Sequence, residues 1–514
     1  MKYQINNFKV NPKNLNNLDQ LIKSRLKINN YTYRILSKSI DARNKENVIV
    51  IFKLLIDTLE IPKYKDISIY KKEDNKIIYP IWKGLSPVIV GFGPSGMFAA
   101  LYLARCNAKP IIIERGKKIE DRKKDVSNFL NNKALDENSN VQFGEGGAGA
   151  FSDGKLTTNL KNPLINFILE EFYNHGAKED ILYDAKPHIG TDYLEKVVRN
   201  IRLEIEKLGG KFYFSTILTD IKREDNKLYA IANNDNLLKI ETSHILLGIG
   251  HSAKDTIRHL YNSLNVKMEQ KAFSMGVRIE HLRDKINFSQ YGKFKDYLPA
   301  AYYNLASHDE FGRGVYTFCM CPGGYVLASA SDKNTIVVNG MSNNDRANIN
   351  SNSAILVDVR PSDYDKGNTL DGIDFQEYYE HLAYNVSNDY RAPSNLVKEF
   401  LNDTIAEKER TIKTSYPHGL KMCDLKECLP EFVVDGIKFG IKSFSKKLKG
   451  FDDPDAILIG IESRSSSPVR ILRDENKEST FKGIYPMGEG AGYAGGITSS
   501  ALDGLKVAMT IASK

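Results

Sequence analysis

A glycine-rich turn near the end of the first hundred residues constrains the fold of this chain more than any other feature. In VIVGFGPSGMFAALYLARC, a short apolar run precedes Gly91, Gly93 and Gly96 at G-x-G-x-x-G spacing, and an apolar stretch of helical length follows. Pro94 and Ser95 belong to the same turn. A strand, this turn and a helix present backbone N–H groups and a positive helix end to a pyrophosphate. The sequence therefore predicts an α/β domain that binds a dinucleotide here.

The second predicted strand, PIIIERG, ends on an acidic residue, Glu114, which is followed by Arg115. An acidic side chain at this place accepts hydrogen bonds from the ribose hydroxyls of an adenosine. The alternative interpretation of Glu114 is a solvated strand end. We expect both residues to contact the cofactor.

Two further glycine-rich segments indicate which dinucleotide is bound. An NAD-binding domain continues at once with another β-α-β unit, whereas this chain runs through a polar stretch into GEGGAGAFSDGK, whose Gly146, Gly147 and Ser152 can lie against a flat ring or a ribityl chain. In the C-terminal GEGAGYAGGI, Glu489 can accept hydrogen bonds from ribityl or ribose hydroxyls. Either loop alone could be an ordinary tight turn, but both together favour FAD. The other contacts expected in the C-terminal segment are Gly488, Gly490, Gly495, Gly496 and Ile497.

The C-terminal glycines also predict an electrostatic role. Gly495 and Gly496 open a helix, and a helix N-terminus carries roughly half a positive charge. A reduced flavin develops negative charge at N1 and the C2 carbonyl, which such a helix end stabilises.

A third glycine pair, in GIGHSA, has the spacing of a second dinucleotide fingerprint. Residues 254–270 do not continue it into a further nucleotide domain, so a strand passing near the cofactor at Gly250 explains it better. We therefore expect no separate NAD(P)H domain, and NAD(P)H is a candidate electron donor that would bind without one.

Composition and turn signals divide the chain into four segments. A small α+β module is expected over 1–84, the first part of the FAD-binding domain over 85–271, a mixed α+β substrate or cap domain over 272–480, and the return to the FAD-binding domain over 481–514. The overall fold class is α/β. Other expected elements are helices over about 163–174 and 191–208, a β-meander over 216–240, and a helix in SNLVKEFLNDTIAEK.

Charge and cysteine content limit which binding partners and which cellular compartment are expected. The formal charge of +8 is spread along the chain without a basic block, so no nucleic-acid partner is expected. Five cysteines are too few for a disulfide scaffold, and an odd number cannot all be paired within the chain. The N-terminal segment MKYQINNFKV lacks the apolar run of a secretory signal. Glycines divide the most apolar stretch, 86–104, which excludes a membrane span. We expect a cytoplasmic protein without membrane contact or metal site, and no pattern indicates an oligomeric state.

The candidate catalytic residues come from three separate parts of the chain: Arg464 with Arg470, His281, and Lys155. IESRSSSPVRILRDE places Glu462, Arg464 and Arg470 upstream of the last glycine segment. Arginines there can clamp a substrate carboxylate or stabilise charge on a reduced flavin, and a surface salt-bridge network is the alternative. His281 and Lys155 are candidates for proton transfer, and a structural role is the alternative for each.

Two cysteine pairs are candidates for thiol chemistry. Cys319 and Cys321 could place a thiolate near the flavin or be two small buried strand residues. Cys423 and Cys428 have the spacing of a flavin disulfide reductase, but that pair should directly follow the first glycine loop, which contains no cysteine. We therefore expect no redox disulfide from this second pair.

With these segments, the chain resembles a bacterial family of uncharacterised FAD-dependent dehydrogenases. The resemblance runs through FGEGGAGAFSDGKL, HIGTD, GHSA, GVRIEH, FCMCPGG, NGMS, ESRSSSPVRI and YPMGEGAGYAGGI; Ser463 and Ser465 stand where the family usually has threonines. It implies the FAD-binding fold of the glutathione-reductase superfamily with an added substrate domain and an N-terminal α+β module. The FAD contacts that it implies are Gly91, Gly93, Gly96, Glu114, Glu489 and Gly490.

The resulting functional expectation is an FAD-dependent dehydrogenase or reductase. A hydride would pass between a small-molecule substrate and FAD, with the flavin supplying the chemistry and the protein positioning it. Two alternatives stay open: a flavoenzyme that acts on tRNA, which would need a basic patch beside the flavin, and a non-catalytic flavin-binding sensor or partner-binding protein, in which the site beside the ring would be closed.

Overall fold

The computed structural model describes residues 1–71, 76–132, 134–234 and 236–513. Residues 72–75 of the expected N-terminal module, 133 and 235 of the expected FAD-binding domain, and 514 at its expected end lie outside the described residues. No helix within these ranges is long and apolar enough to cross a bilayer.

The strands, in chain order, are β1 (Lys2–Val10), β2 (Tyr31–Asp41), β3 (Ile49–Thr58), β4 (Ile67–Ile69), β5 (Val88–Val90), β6 (Ile111–Ile113), β7 (Lys211–Tyr213), β8 (Ile217–Glu224), β9 (Lys227–Asn233), β10 (Leu237–Thr242), β11 (Ile245–Leu247), β12 (Met268–Gln270), β13 (Phe273–Leu282), β14 (Ala306–His308), β15 (Gly314–Cys321), β16 (Tyr325–Ala328), β17 (Val338–Met341), β18 (Asn350–Val359), β19 (Ala392–Leu396), β20 (Leu420–Met422), β21 (Ile457–Glu462), β22 (Val469–Ile471) and β23 (Ile484–Pro486).

The α-helices are α1 (Leu18–Leu26), α2 (Pro94–Arg105), α3 (Ile119–Asn132), α4 (Leu164–Asn174), α5 (Thr191–Lys207), α6 (Lys254–Asn262), α7 (Arg283–Tyr291), α8 (Asp371–Asn385), α9 (Val397–Leu401), α10 (Glu431–Ser445) and α11 (Ile497–Ala512). Short 3-10 helices cover Pro12–Asn17, Ala148–Phe151, Glu179–Leu182, Gly292–Tyr297, Pro361–Asp363 and Leu425–Glu427.

The N-terminal segment forms an antiparallel sheet of its own, in the order β2-β3-β1-β4. Buried and exposed residues alternate in β1 on either side of a β-bulge between Ile5 and Phe8, and both of these residues share a core with Ile22 and Leu26 of α1. This arrangement follows from the period of two along the strand and the apolar stripe of the helix.

A five-stranded parallel sheet carries the predicted glycine turn. Its order is β23-β11-β5-β6-β7, and each strand pair is parallel. The short apolar strands are buried, as is usual where helices cover both faces of a parallel sheet. Helix α2 packs against α11, so the last helix of the chain lies beside the first glycine turn. The predicted meander, β8 to β10, forms a separate antiparallel sheet.

The third large sheet has seven strands in the order β14-β15-β18-β13-β21-β19-β20. Helix α10 covers one face, and its glycines allow close packing: a Cβ on Gly436 would lie 2.8 Å from Val357, and one on Gly440 would lie 2.7 Å from Val315. Strands β13 and β18 are buried along nearly their whole length. The central strands therefore hold the residues at their ends in fixed positions.

Two local expectations were wrong. The polar stretch after Arg115 contains a helix, α3, because Ile119, Arg122, Val126 and Phe129 recur at helical spacing and are buried. The expected helix in SNLVKEFLNDTIAEK is instead strand β19 followed by the five-residue α9. Pairing of β19 with β21 in the sheet core overrides the helical pattern there.

Candidate active site

One cavity begins at the carboxyl ends of the parallel strands β5, β6 and β11 and extends to residues of β15, β17 and β21. Its opening at the strand ends is where open α/β sheets bind their ligands. Most of the residues expected to contact the cofactor line it: Gly91, Gly93, Pro94, Ser95, Glu114, Arg115, Gly147, Ser152, Gly250, Glu489, Gly495, Gly496 and Ile497.

Four of the expected contacts lie behind this lining, and these are Gly96, Gly146, Gly488 and Gly490. A Cβ on Gly96 would lie 1.9 Å from the carbonyl oxygen of Gly91, and one on Gly490 would lie 2.3 Å from that of Gly250. The absence of a Cβ at Gly96 and Gly490 therefore lets the loops approach one another.

Glu114 ties the first two loops together. Its carboxylate accepts hydrogen bonds from the backbone N–H of Phe92 at 2.7 Å, of Gly116 at 2.9 Å and of Gly144 at 3.0 Å. A carboxylate has about four acceptor positions, so one remains for a ribose hydroxyl. Glu114 is thus a buried anchor of the turn as well as a lining residue, and the solvated strand end is excluded.

Arg122 was not expected from the sequence and holds the second glycine loop. It is fully buried on α3 and donates to five backbone carbonyls, those of Asn140, Val141, Gly144, Glu145 and Gly147. Burial lowers its pKa to about 10, still well above neutral pH. The available signal was an arginine at helical spacing with Ile119, Val126 and Phe129, ahead of a glycine-rich loop.

The C-terminal loop meets the GIGHSA loop through a side-chain pair. Nδ1 of His251 lies 2.9 Å from Oε1 of Glu489, and both residues line the cavity. Gly496 is the N-cap of α11, so the helix N-terminus faces the cavity beside them. The cradle thus offers backbone N–H groups, two carboxylates for hydroxyls and a positive helix end, and it fits a dinucleotide with a sugar or ribityl chain.

The inner end of the cavity carries a buried ion pair, Lys155 and Asp153. The two charged groups are 3.7 Å apart, and Nζ of Lys155 also donates to the carbonyl of Met320 at 3.0 Å. Burial lowers the pKa of Lys155, but Asp153 together with Tyr302, Cys319 and Cys321 raises it by more, so the pKa is raised overall. For Asp153 burial raises the pKa, and Lys155, His188 and Arg346 lower it overall. Lys155 is therefore an ammonium at neutral pH, able to donate a proton but not to accept one.

A second buried pair, Arg278 and Glu462, lies at the same end. Nη1 of Arg278 donates to Oε2 of Glu462 at 2.7 Å, and Glu462 lines the cavity. The Nη2 group of Arg278 donates to the carbonyl of Cys319 at 2.6 Å. Strand β13 thereby fixes the ends of β15 and β21 against the cavity.

The thiols give no support to thiolate chemistry. Cys319 lines the cavity, and burial raises its pKa to about 11; burial also raises the pKa of Cys321 well above its usual value. Both are therefore protonated at neutral pH. Cys423 and Cys428 are free cysteines buried in the core of the seven-stranded sheet, away from the cavity lining.

Arg464 lines the cavity but has no N–H group left for a substrate. Its five N–H donors bond to Glu380 (twice), Ser252, Ser331 and Asp332. The expected carboxylate clamp is therefore wrong for this residue. Arg464 instead joins β21 to α8 and to the GIGHSA loop.

Arg470 and His281 are not among the lining residues, which corrects two further expectations. Arg470 lies on β22, partly exposed, and pairs with Glu269 at 3.1 Å on the neighbouring strand. His281 is buried at the end of β13, and its Nε2 lies 2.8 Å from the carbonyl oxygen of Phe451. Strand pairing turns both side chains away from the cavity.

The parallel sheet, the G-x-G-x-x-G turn and the cradle define a dinucleotide-cofactor protein of the α/β class. The sequence profile of the family described as "FAD-dependent protein, C-terminal domain-like" matches residues 272–465. An uncharacterised protein of Clostridium beijerinckii is 46% identical over 499 residues, covering 93% of this chain and 92% of that protein. The chain belongs to the family of that protein, and FAD is its cofactor.

Solved flavoprotein structures show a more distant similarity. The flavin-dependent brominase Bmp2, as a triple mutant, is 12% identical with a TM-score of 0.38, covering 83% of this chain and 80% of the brominase. The anhydrotetracycline hydroxylase OxyS from Streptomyces rimosus is 11% identical with a TM-score of 0.34, covering 83% of this chain and 62% of the hydroxylase.

Proposed function

We propose that this protein is an FAD-dependent oxidoreductase that transfers a hydride between a small organic substrate and FAD. One observation carries the proposal: a single cavity is walled by the glycine turns at one end and by Phe318, Cys319, Asn339 and Glu462 at the other. Bound FAD supplies two-electron, hydride-accepting chemistry in that cavity. The residues of β15, β17 and β21 would then contact the substrate.

The proposed fold is of the glutathione-reductase type, and strand order supports it. Numbered along the chain, the five strands of the parallel sheet run 3-2-1-4-5, and the glycine turn follows the first of them. Dinucleotide-binding domains share this order and bind at its point of reversal.

The chain's own residues would orient the substrate and handle protons. Lys155 is held by Asp153 and Met320 at the inner end and offers an ammonium group. Because Arg464 is fully bonded, substrate orientation would rest on the β15, β17 and β21 residues. NAD(P)H, as one candidate donor, would have to reach this same end. Five unpaired cysteines support a cytoplasmic location.

The experiment begins with the absorbance spectrum of the purified protein and identification of the released cofactor. The anaerobic holoprotein is then mixed with NADH, NADPH and panels of small oxidisable acids, alcohols and amines, and bleaching of the flavin band is followed. Rapid bleaching by one donor would support the proposal and identify the half-reaction that reduces the flavin. FAD that no small donor reduces would contradict it and favour a sensor or a macromolecular substrate.

A further inference from the structure

One carboxylate oxygen at the inner end of the cavity has no donor among the described residues. Oε2 of Glu462 is held by Arg278 at 2.7 Å, whereas Oε1 accepts no hydrogen bond from any residue that the structure describes. Glu462 is only 4% exposed, and it lines the cavity. The carboxylate is therefore fixed by one oxygen, with the other open to a ligand.

Arg278 makes this orientation rigid. It is fully buried, its Nε donates to Oδ1 of Asn352 at 2.8 Å, and its Nη2 donates to the carbonyl of Cys319. All three nitrogens of the guanidinium are thus hydrogen-bonded, and these bonds hold Glu462 in one position. Burial raises the pKa of the Glu462 carboxyl, and Arg278 offsets part of that rise, so the group can exchange a proton closer to neutral pH than an exposed glutamate.

The other charged groups around this end indicate what kind of ligand the cavity suits. Arg464 and Arg278 are held by protein acceptors, and Lys155 is bonded to a carbonyl and lies beside a carboxylate. By contrast, Oδ2 of Asp153 is buried without a hydrogen bond from the described residues. A buried acceptor left unpaired costs about 1–3 kcal/mol, so a ligand that brings N–H or O–H groups is favoured over a carboxylate.

We propose that Oε1 of Glu462 binds an N–H or O–H group of the substrate. The substrates are then amines or alcohols, and Glu462 is the catalytic base. The proton-transfer part rests on the proposed function. In that reaction the N–H or O–H bond breaks and its proton passes to Oε1. The neighbouring C–H hydrogen leaves with both bonding electrons for FAD, and a C=N or C=O bond forms. Arg278 is a positioning residue.

The test measures binding to the oxidised holoprotein, so it needs no turnover. Benzylamine, benzyl alcohol and benzoate share one skeleton and are titrated by calorimetry and by perturbation of the flavin spectrum. The variants are Glu462→Gln, which removes the charge, and Glu462→Asp, which keeps the pair with Arg278 but withdraws the carboxylate from the cavity. Glu280→Gln is the matched control, because Glu280 is a fully buried glutamate on β13 that bonds to Thr414 and Ser415 and does not line the cavity.

The expected result is that benzylamine or benzyl alcohol binds the wild type at least about tenfold more tightly than benzoate, and that both Glu462 variants lose about tenfold in that affinity. Glu280→Gln should bind like the wild type. Tighter binding of benzoate, unchanged affinity in both Glu462 variants, or no binding of either donor would each overturn the proposal. Failure of the proposed function is a separate outcome, seen as a flavin that no small donor bleaches.

Discussion

The imidazole of His251 and the carboxylate of Glu489 connect two cofactor loops that are far apart in sequence, with Nδ1 and Oε1 2.9 Å apart. The backbones of the same loops are in contact at Gly250 and Gly490. Nε2 of His251 is buried and has no hydrogen-bond partner among the described residues. Because Nδ1 faces Glu489, Nε2 is the ring nitrogen that remains for a polar group of the bound cofactor.

This pair predicts coupled losses of FAD affinity. His251→Gln and Glu489→Gln should each weaken FAD binding by about tenfold, because the side-chain contact that joins the two loops is lost. The double variant should lose less than the product of the two, as expected for contacting residues. Titration of FAD-free protein with FAD measures this. His259→Gln, whose ring pairs with Asp220 outside the cavity lining, is the control. Strictly additive losses would contradict the coupling.

Gly93 and Gly96 are expected to respond differently to the same substitution. A Cβ on Gly93 would have its nearest neighbour at 3.7 Å, whereas one on Gly96 would lie 1.9 Å from Gly91. Gly93→Val should therefore fold but project into the cavity and bind FAD at least about a hundredfold more weakly. Gly96→Val should lose folded protein. Thermal melts of the FAD-free variants separate the two effects, and normal FAD binding by Gly93→Val would exclude the assigned pyrophosphate site.

Removal of the Arg122 side chain should destabilise the second glycine loop. Arg122→Met removes the arginine donor from five carbonyls, of which only those of Gly144 and Gly147 keep a backbone N–H donor, so the free energy of unfolding should fall by at least about 3 kcal/mol, together with FAD occupancy. Lys123→Ala is the control on the same helix; its side chain is exposed and its ion pair should contribute less than about 1 kcal/mol. Urea unfolding compares the two. Similar losses in both variants would mean that Arg122 does not hold the loop.

His188 predicts a pH dependence of stability. Burial lowers its pKa to about 4; Asp153 opposes this shift, and Arg346 and Lys155 add to it. The unfolded chain, with a histidine pKa of about 6.5, binds the proton at higher pH than the folded protein does. The contribution of His188 is therefore fully present above about pH 6.5 and falls by up to about 1.4 kcal/mol per pH unit towards pH 4.

Urea unfolding of the FAD-free protein between about pH 5 and pH 7 measures this slope. His188→Gln can still bond to Ser342 but does not titrate, so its slope should be smaller. Equal slopes for the wild type and the variant would show that other groups cause the dependence.

Local patterns were sufficient for the elements whose periodicity and caps agree with their surroundings. The expected helices near 163–174 and 191–208 correspond to α4 and α5, and the meander corresponds to β8 to β10. Local patterns failed at β19, where strand pairing overrides the helical preference of the sequence. They also failed at α3, where a buried arginine on the apolar face makes an amphipathic helix look polar. The sequence also does not show which hydrogen bonds and ion pairs a side chain makes. For this reason Arg464 was expected to be available for a substrate, although it is bonded to Glu380 and Asp332.

The sequence by itself determined the cofactor site in outline, because glycine spacing and strand-turn-helix order are local properties that a backbone cradle for phosphate requires. Only the tertiary structure decided the chemistry at the inner end. Glu462, Cys319 and Lys155 come from distant segments. Strand order in the seven-stranded sheet brings Glu462 and Cys319 to the cavity and places His281 elsewhere, whereas Lys155 reaches it from the second glycine loop and Arg470 lies on the separate sheet β12-β22. Such convergence depends on long-range strand pairing and desolvation, which no short sequence pattern encodes.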